Sequence, residues 1–174
     1  MKAWLHGVPL ACVLFVGCVP DLFPREVLEG IDRNFDFARW RTVPSQIAPT
    51  KVEVGGRIIE TQSLGDIMTI VVAQLPIVHY PAYGPKQGKS KGEFVITHHG
   101  KVGKPFLNPG NRLMVVGVTH GTKLAAVDDV MRSLPNIQSN CIHIWKTGDV
   151  DIADYVSSGA GYGVLEEETF CSGK

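Results

Sequence analysis

From Val52 onward the chain alternates short apolar runs with stretches dense in glycine and proline. Runs of that length, rich in β-branched residues and bounded by turn residues, predict strands. The first run is Val52 to Ile59, interrupted by Gly55-Gly56, and a glycine pair inside a strand marks a bulge or a sharp bend. A turn at Ser63 to Asp66 leads into Ile67 to Leu75, which Pro76 stops, so the first two runs are predicted to pair as an antiparallel hairpin. Tyr80 to Gly92 holds two prolines, three lysines and three glycines and is predicted to be an exposed loop. Glu93 to His99 is the third strand, with Phe94 and Ile96 on one face and Val95 and Thr97 on the other. The segment Gly100 to Asn111, with Pro105, Pro109 and Gly110, turns the chain into Leu113 to Thr119, where Gly117 signals curvature; the last strand runs from about Ile137 to Trp145. Five short strands with two glycine bends predict a mainly β fold. The architecture expected is a small five-stranded barrel of the oligonucleotide/oligosaccharide-binding type, with a flat open sandwich as the alternative.

The chain before Val52 follows a different rule. Between Pro20 and Arg41, Val27, Leu28, Ile31, Phe35 and Phe37 recur at helical spacing, which predicts one or two short helical turns; Pro44 and Pro49 forbid a long helix. Met1-Lys2 precedes an apolar run from Val8 to Val16 that ends at Gly17-Cys18. A positive start, a run too short to span a bilayer and a small residue before the break form a signal-peptide layout. The cysteine after the break marks a lipoprotein signal, although Phe15 occupies the place where Leu is usual. The alternative is an ordinary signal cut elsewhere. Val19 is not an acid that would retain the protein at an inner membrane, so an outer-membrane address with a periplasm-facing domain is expected. The expected division is a signal peptide at 1–17, a lipid-anchored linker with short helical turns at 18–50, the barrel at 51–146 and a flexible, glycine-rich tail at 147–174.

The whole chain carries 17 basic and 17 acidic residues, and residues 1–17 remove one lysine and no acid. With no basic excess to drive phosphate binding, nucleic acid is not an expected partner. The expected partner is a membrane, through a lipid on Cys18, with envelope proteins a further candidate class. Cys141 and Cys171 remain for the folded domain; in an oxidising compartment they can form a disulfide, or stand as two separate thiols. The loop of about 30 residues that a disulfide would close corresponds to roughly 3 kcal/mol of stabilisation in the chain-entropy view.

Candidate chemistry is sparse. His98-His99 with His120 invites a metal, but adjacent strand residues point to opposite faces. If strands 93–99 and 112–119 form a hairpin, His120 lies about seven residues, roughly 23 Å, from His98. Neither a metal site nor a cofactor is expected. No nucleophile elbow or phosphate loop is present, and Asp128-Asp129 and Glu166 to Glu168 read as solvated charge, so no catalytic residue is assigned. Phe94, Phe106, Trp145 and Tyr155 serve either as packing or as the lining of a binding cleft.

The residues also carry a family resemblance. Cys18, then Ile31-Asp32-Arg33 and Phe35-Asp36-Phe37-Ala38, then Val54-Gly55-Gly56-Arg57-Ile58-Ile59, follow in the order seen in the Slp family of starvation-inducible outer-membrane lipoproteins. Gln74-Leu75-Pro76, Ser90 with Gly92-Glu93-Phe94, Phe106-Leu107-Asn108-Pro109, Val115-Val116-Gly117-Val118 and Ile142-His143-Ile144-Trp145 continue the series. Glu93 stands where the family usually has Arg, and the turn after Pro109 is shorter than the family pattern. The resemblance implies a non-catalytic envelope lipoprotein responding to stress or starvation. The alternative function is a periplasmic module that binds a glycan, a small molecule or a metal on the face of strands 2 and 3.

Overall fold

The computed structural model describes residues 22–79, 82–158 and 164–173, so Cys18 and the signal segment lie outside the described residues. The N-terminal part forms two short helices, α1 (Arg25–Leu28) and α2 (Phe37–Thr42). Eight strands and a third helix follow: β1 (Lys51–Leu64), β2 (Ile67–Leu75), β3 (Ile77–Val78), β4 (Gly84–Pro85), β5 (Glu93–His99), β6 (Arg112–Val127), β7 (Val130–Trp145), α3 (Ile152–Ser158) and β8 (Glu167–Cys171).

The main sheet has the order β5-β2-β1-β6-β7-β8, and a parallel pairing of β5 with β7 returns it on itself. Strands β1, β2, β5, β6 and β7 thereby form a ring, as the alternation of apolar runs predicts. The glycine pair explains how one strand serves both sides: Gly55, Gly56 and Arg57 pair with β2 and with β6 at once. A Cβ on Gly56 would stand 2.3 Å from a Val72 methyl and 2.6 Å from the Ala73 carbonyl oxygen. Gly117 lies at a register shift between β6 and β7, where a Cβ would meet the Gln138 carbonyl oxygen at 2.3 Å. Both positions need glycine because another backbone passes where a side chain would be.

Alternate residues of the ring point inward. Val52, Val54, Ile58, Ile70, Val72, Phe94, Ile96, Leu113, Val115, Ile142 and Ile144 form one buried cluster. Phe37 and Trp40, one helical turn apart on α2, belong to the same cluster without belonging to the ring, so they enter through its open end. The Asp36 carboxylate starts that helix by accepting from the Ala38 and Arg39 amides at 3.0 and 3.2 Å. At the other end, the 3₁₀ turn Lys104–Leu107 places Phe106 and Leu107 against the cluster.

Several expectations are revised. Residues 120–136 were not assigned to any element, yet β6 and β7 continue through them as a hairpin arm that turns at Asp128-Asp129. Those two residues adopt φ of 50° and 62°, the primed turn geometry that matches strand twist, so they form a turn as well as a solvated charge. Residues 147–174, expected as a flexible tail, include α3 and the strand β8. Its pairing with β7 and the bond between Cys141 and Cys171, whose Cα atoms are 4.0 Å apart, tie it down. The hairpin of strands 93–99 and 112–119 on which the His98–His120 distance was conditional does not form: β5 lies between β2 and β7, and β7 separates it from β6. The loop 80–92 contributes β4, which pairs with β3.

Candidate functional site

Three surfaces of the ring bear on function. The first is the outer face of β2 and β5, where the connectivity of such barrels places oligonucleotide or oligosaccharide ligands. Here Thr69, Val71, Val95 and Thr97 point outward, and the β6–β7 arm lies over them. Val71 and Val95 are packed with Ala125 and Val127 of the arm. The Lys123 ammonium donates to the Thr69 and Thr97 hydroxyls, each at 3.0 Å, and Arg132 pairs with Glu93 at 3.3 Å. The expected concave ligand patch on strands 2 and 3 is therefore absent from this face, because the chain's own arm fills it. Glu93, through its pair with Arg132, links β5 to the arm.

The second surface is the opposite outer face, formed by β6, β7 and β8. Met114, Val116, Cys141 and Trp145 are covered by Phe23 and by the partly buried Leu22, Val27, Leu28 and Ile31. Trp145 is thus packing rather than a cleft lining, and Phe94 lies inside the ring. Tyr155 donates to the Thr147 carbonyl at 3.4 Å, and Phe106 stacks edge-on with Phe170. Residues 22–31, within the span expected as a linker with short helical turns, thus pack as a layer on β6 and β7.

The third surface is a groove between residues 28–37 and the β1, β2 and β3 strands. Two adjoining cavities of about 640 and 310 Å³ share Arg33, Phe35, Glu53 and Ile77. Lys91 and Gln74 flank the larger one; His79 and Tyr83, stacked at 4.9 Å, flank the smaller. The Tyr83 hydroxyl donates to Glu53 at 2.8 Å, and burial together with that bond raises its pKa. The groove mixes apolar side chains with charges of both signs. It was not legible in the sequence, because its walls come from four separate segments of the chain.

The histidines part as strand geometry requires. His98 is buried inside the ring at 1% exposure, with its Nδ1 2.7 Å from the Ser139 hydroxyl and 3.5 Å from that of Ser172. His99 and His120 are exposed. Burial, followed by the charge of His99, pushes the His98 pKa down to about 4. Among the described residues, no group of three or more His, Cys, Asp or Glu side chains is arranged to hold a metal. His143 Nδ1 lies 2.7 Å from the Thr169 hydroxyl and its Nε2 3.3 Å from Glu167. Arg112 is fully buried; its Nη2 donates to Gln87 at 2.5 Å and lies 3.9 Å from Asp151, while Nε and Nη1 have no hydrogen-bond partner among the described residues.

These features define a small mainly β domain whose five-strand ring is covered by its own β6–β7 arm on one side and by residues 22–31 on another. The chain belongs to the outer membrane lipoprotein Slp family, whose model matches residues 15–166. No curated protein matches it in sequence. Among solved structures, a small single-stranded DNA-binding protein from Streptomyces coelicolor is similar at a TM-score of 0.35 and 11% identity, covering 55% of this chain and 94% of that one. The expectation that nucleic acid is not a partner is corrected on its own ground: a net charge near zero is a chain average and does not fix the local field, so it excludes no polyanion.

Proposed function

We propose that the mature protein begins at Cys18, is acylated there, and serves at the outer membrane as a non-catalytic, stress-associated envelope component with its domain facing the periplasm. The observation that carries this reading is the family match, which begins at residue 15 and so includes the Phe15-Val16-Gly17-Cys18 box. Support for the non-catalytic part comes from the Ser139–His98 contact: both side chains are buried, at 4% and 1% exposure, so no substrate reaches the hydroxyl. Density-gradient separation of envelopes from cells making the full chain tests the proposal. Wild type is expected in the outer-membrane fraction and Cys18→Ser outside it; identical distribution of the two would refute acylation as the anchor.

A second reading, a module that binds a small polar ligand such as a saccharide, is favoured by the groove around Arg33 and Tyr83. It predicts that mono- and disaccharides shift the Tyr83 and His79 ring resonances of wild type but not those of Arg33→Ser. Unmoved resonances across such a panel would remove this reading.

A further inference from the structure

We infer that the barrel is held flush against the membrane by the flank formed by α1, β8 and Val164, with the β6–β7 arm turned away from the bilayer. The inference rests on the proposed acylation of Cys18 and adds to it the surface that meets the lipid.

Phe23 is 2% exposed and stands edge-on to His143 at 6.4 Å. The Leu22 carbonyl accepts a hydrogen bond from the Thr169 hydroxyl at 2.8 Å, which fastens this point to β8. From Leu22 back to Cys18 is four residues, and four residues at about 3.5 Å each reach no more than about 14 Å even fully extended. A lipidated Cys18 must sit at the headgroup level, so Leu22 and whatever surrounds it lie within that distance of the bilayer.

What surrounds Leu22 is known. Val27 and Leu28 of α1, Leu165 and Cys171 pack on the same cluster as Leu22, and Val164, beside Leu165, is 96% exposed. This flank lies on the outer face of β6 and β7, whereas the arm covers β2 and β5 on the other side of the ring. The short tether therefore selects one face, and the ring holds the arm's outward residues Leu124, Ser133 and Met131 on the far side. Glu166 to Glu168 lie on the near flank, so the contact is imposed by tether length rather than by attraction to anionic lipid.

Full-chain protein, processed in cells and purified with its disulfide intact, supplies the test. Single cysteines introduced as Glu26→Cys, Val164→Cys or Ser133→Cys are labelled with bimane. The proteins are reconstituted into phosphatidylethanolamine/phosphatidylglycerol vesicles that contain a headgroup spin-labelled lipid. Quenching is expected to be several-fold stronger at positions 26 and 164 than at 133. A Gly/Ser spacer of about twenty residues after Cys18, with a root-mean-square span near 25 Å, is expected to erase the difference. Equal quenching at all three sites on the native tether, or strongest quenching at 133, overturns the inference while vesicle flotation and the lipid mass leave the anchor standing. Failure of the wild-type chain to carry lipid or to float removes the acylation reading instead, and this inference with it.

Discussion

At the scale of single residues, the fold depends on places where a side chain cannot fit and on charges that cannot leave. Gly56→Ala puts a methyl within 2.3 Å of Val72 and 2.6 Å of backbone, and is expected to destabilise by about 2–3 kcal/mol in denaturant unfolding. His98 controls part of the acid response. Its folded pKa is lowered from 6.5 to about 4, so the unfolded chain takes up the proton first as pH falls. Stability is accordingly full above about pH 6.5, declines between 6.5 and 4 by an amount on the order of 3 kcal/mol, and levels off below. His143, whose pKa is also lowered by burial against the opposing pull of Glu167, adds a slope of the same sign. Unfolding of His98→Gln measured across that range is expected to show a shallower slope than wild type; an unchanged slope would assign the acid response elsewhere. Buried Arg112, whose pKa burial lowers, relies on Gln87 and on Asp151, which also receives the Gln87 amide at 3.1 Å. Asp151→Ala is expected to cost about 2–3 kcal/mol, more than Arg112→Met, because the first strands a buried charge and the second removes it. The reverse order of the two midpoints would contradict that account. The glycine pair and the opposite faces of His98 and His99 were legible in the sequence, since both follow from local geometry. The isolation of Arg112 was not, because its neighbours come from three distant segments.

At the scale of elements, the five runs of alternating residues lie where the strands form, and their ends agree to within a few residues except where β1, β6 and β7 run on. The arm escaped because Gly121, the Asp128-Asp129 turn and Pro135 break the apolar alternation; its stability comes from packing on Val71 and Val95, a tertiary cause. Val127→Asp buries an unpaired carboxylate in that contact and is expected to loosen the arm, opening Lys123 and Arg132 to trypsin while the ring persists. Unaltered cleavage kinetics would show that the arm holds without this seam. Strand β8 escaped because Glu166 to Glu168 suggest solvent, whereas the strand is an edge held by five pairings and a disulfide. Opening the 30-residue loop with Cys171→Ser is expected to cost roughly 3 kcal/mol in thermal or denaturant unfolding. Protection of the β8 amides in hydrogen exchange should fall first.

At the scale of the whole molecule, the five-strand ring is closed over from outside by its own chain. The arm occupies the β2–β5 face, the N-terminal layer occupies the β6–β7 face, and α2 stops one end of the ring. Order, spacing and the family resemblance made the mainly β ring and the outer-membrane lipoprotein family readable from the residues alone. The covering of the β2–β5 face was not readable, because it depends on which way a hairpin folds after its strands have left the ring. The proposal places an acylated Cys18 at the start of the mature chain. Intact-mass analysis of the purified envelope form tests it most directly. The account predicts a chain lacking residues 1–17, carrying the added mass of acyl groups on Cys18 and an intact disulfide, with no acyl mass on Cys18→Ser. A chain cleaved at another bond, or ending in an unmodified residue, would contradict it.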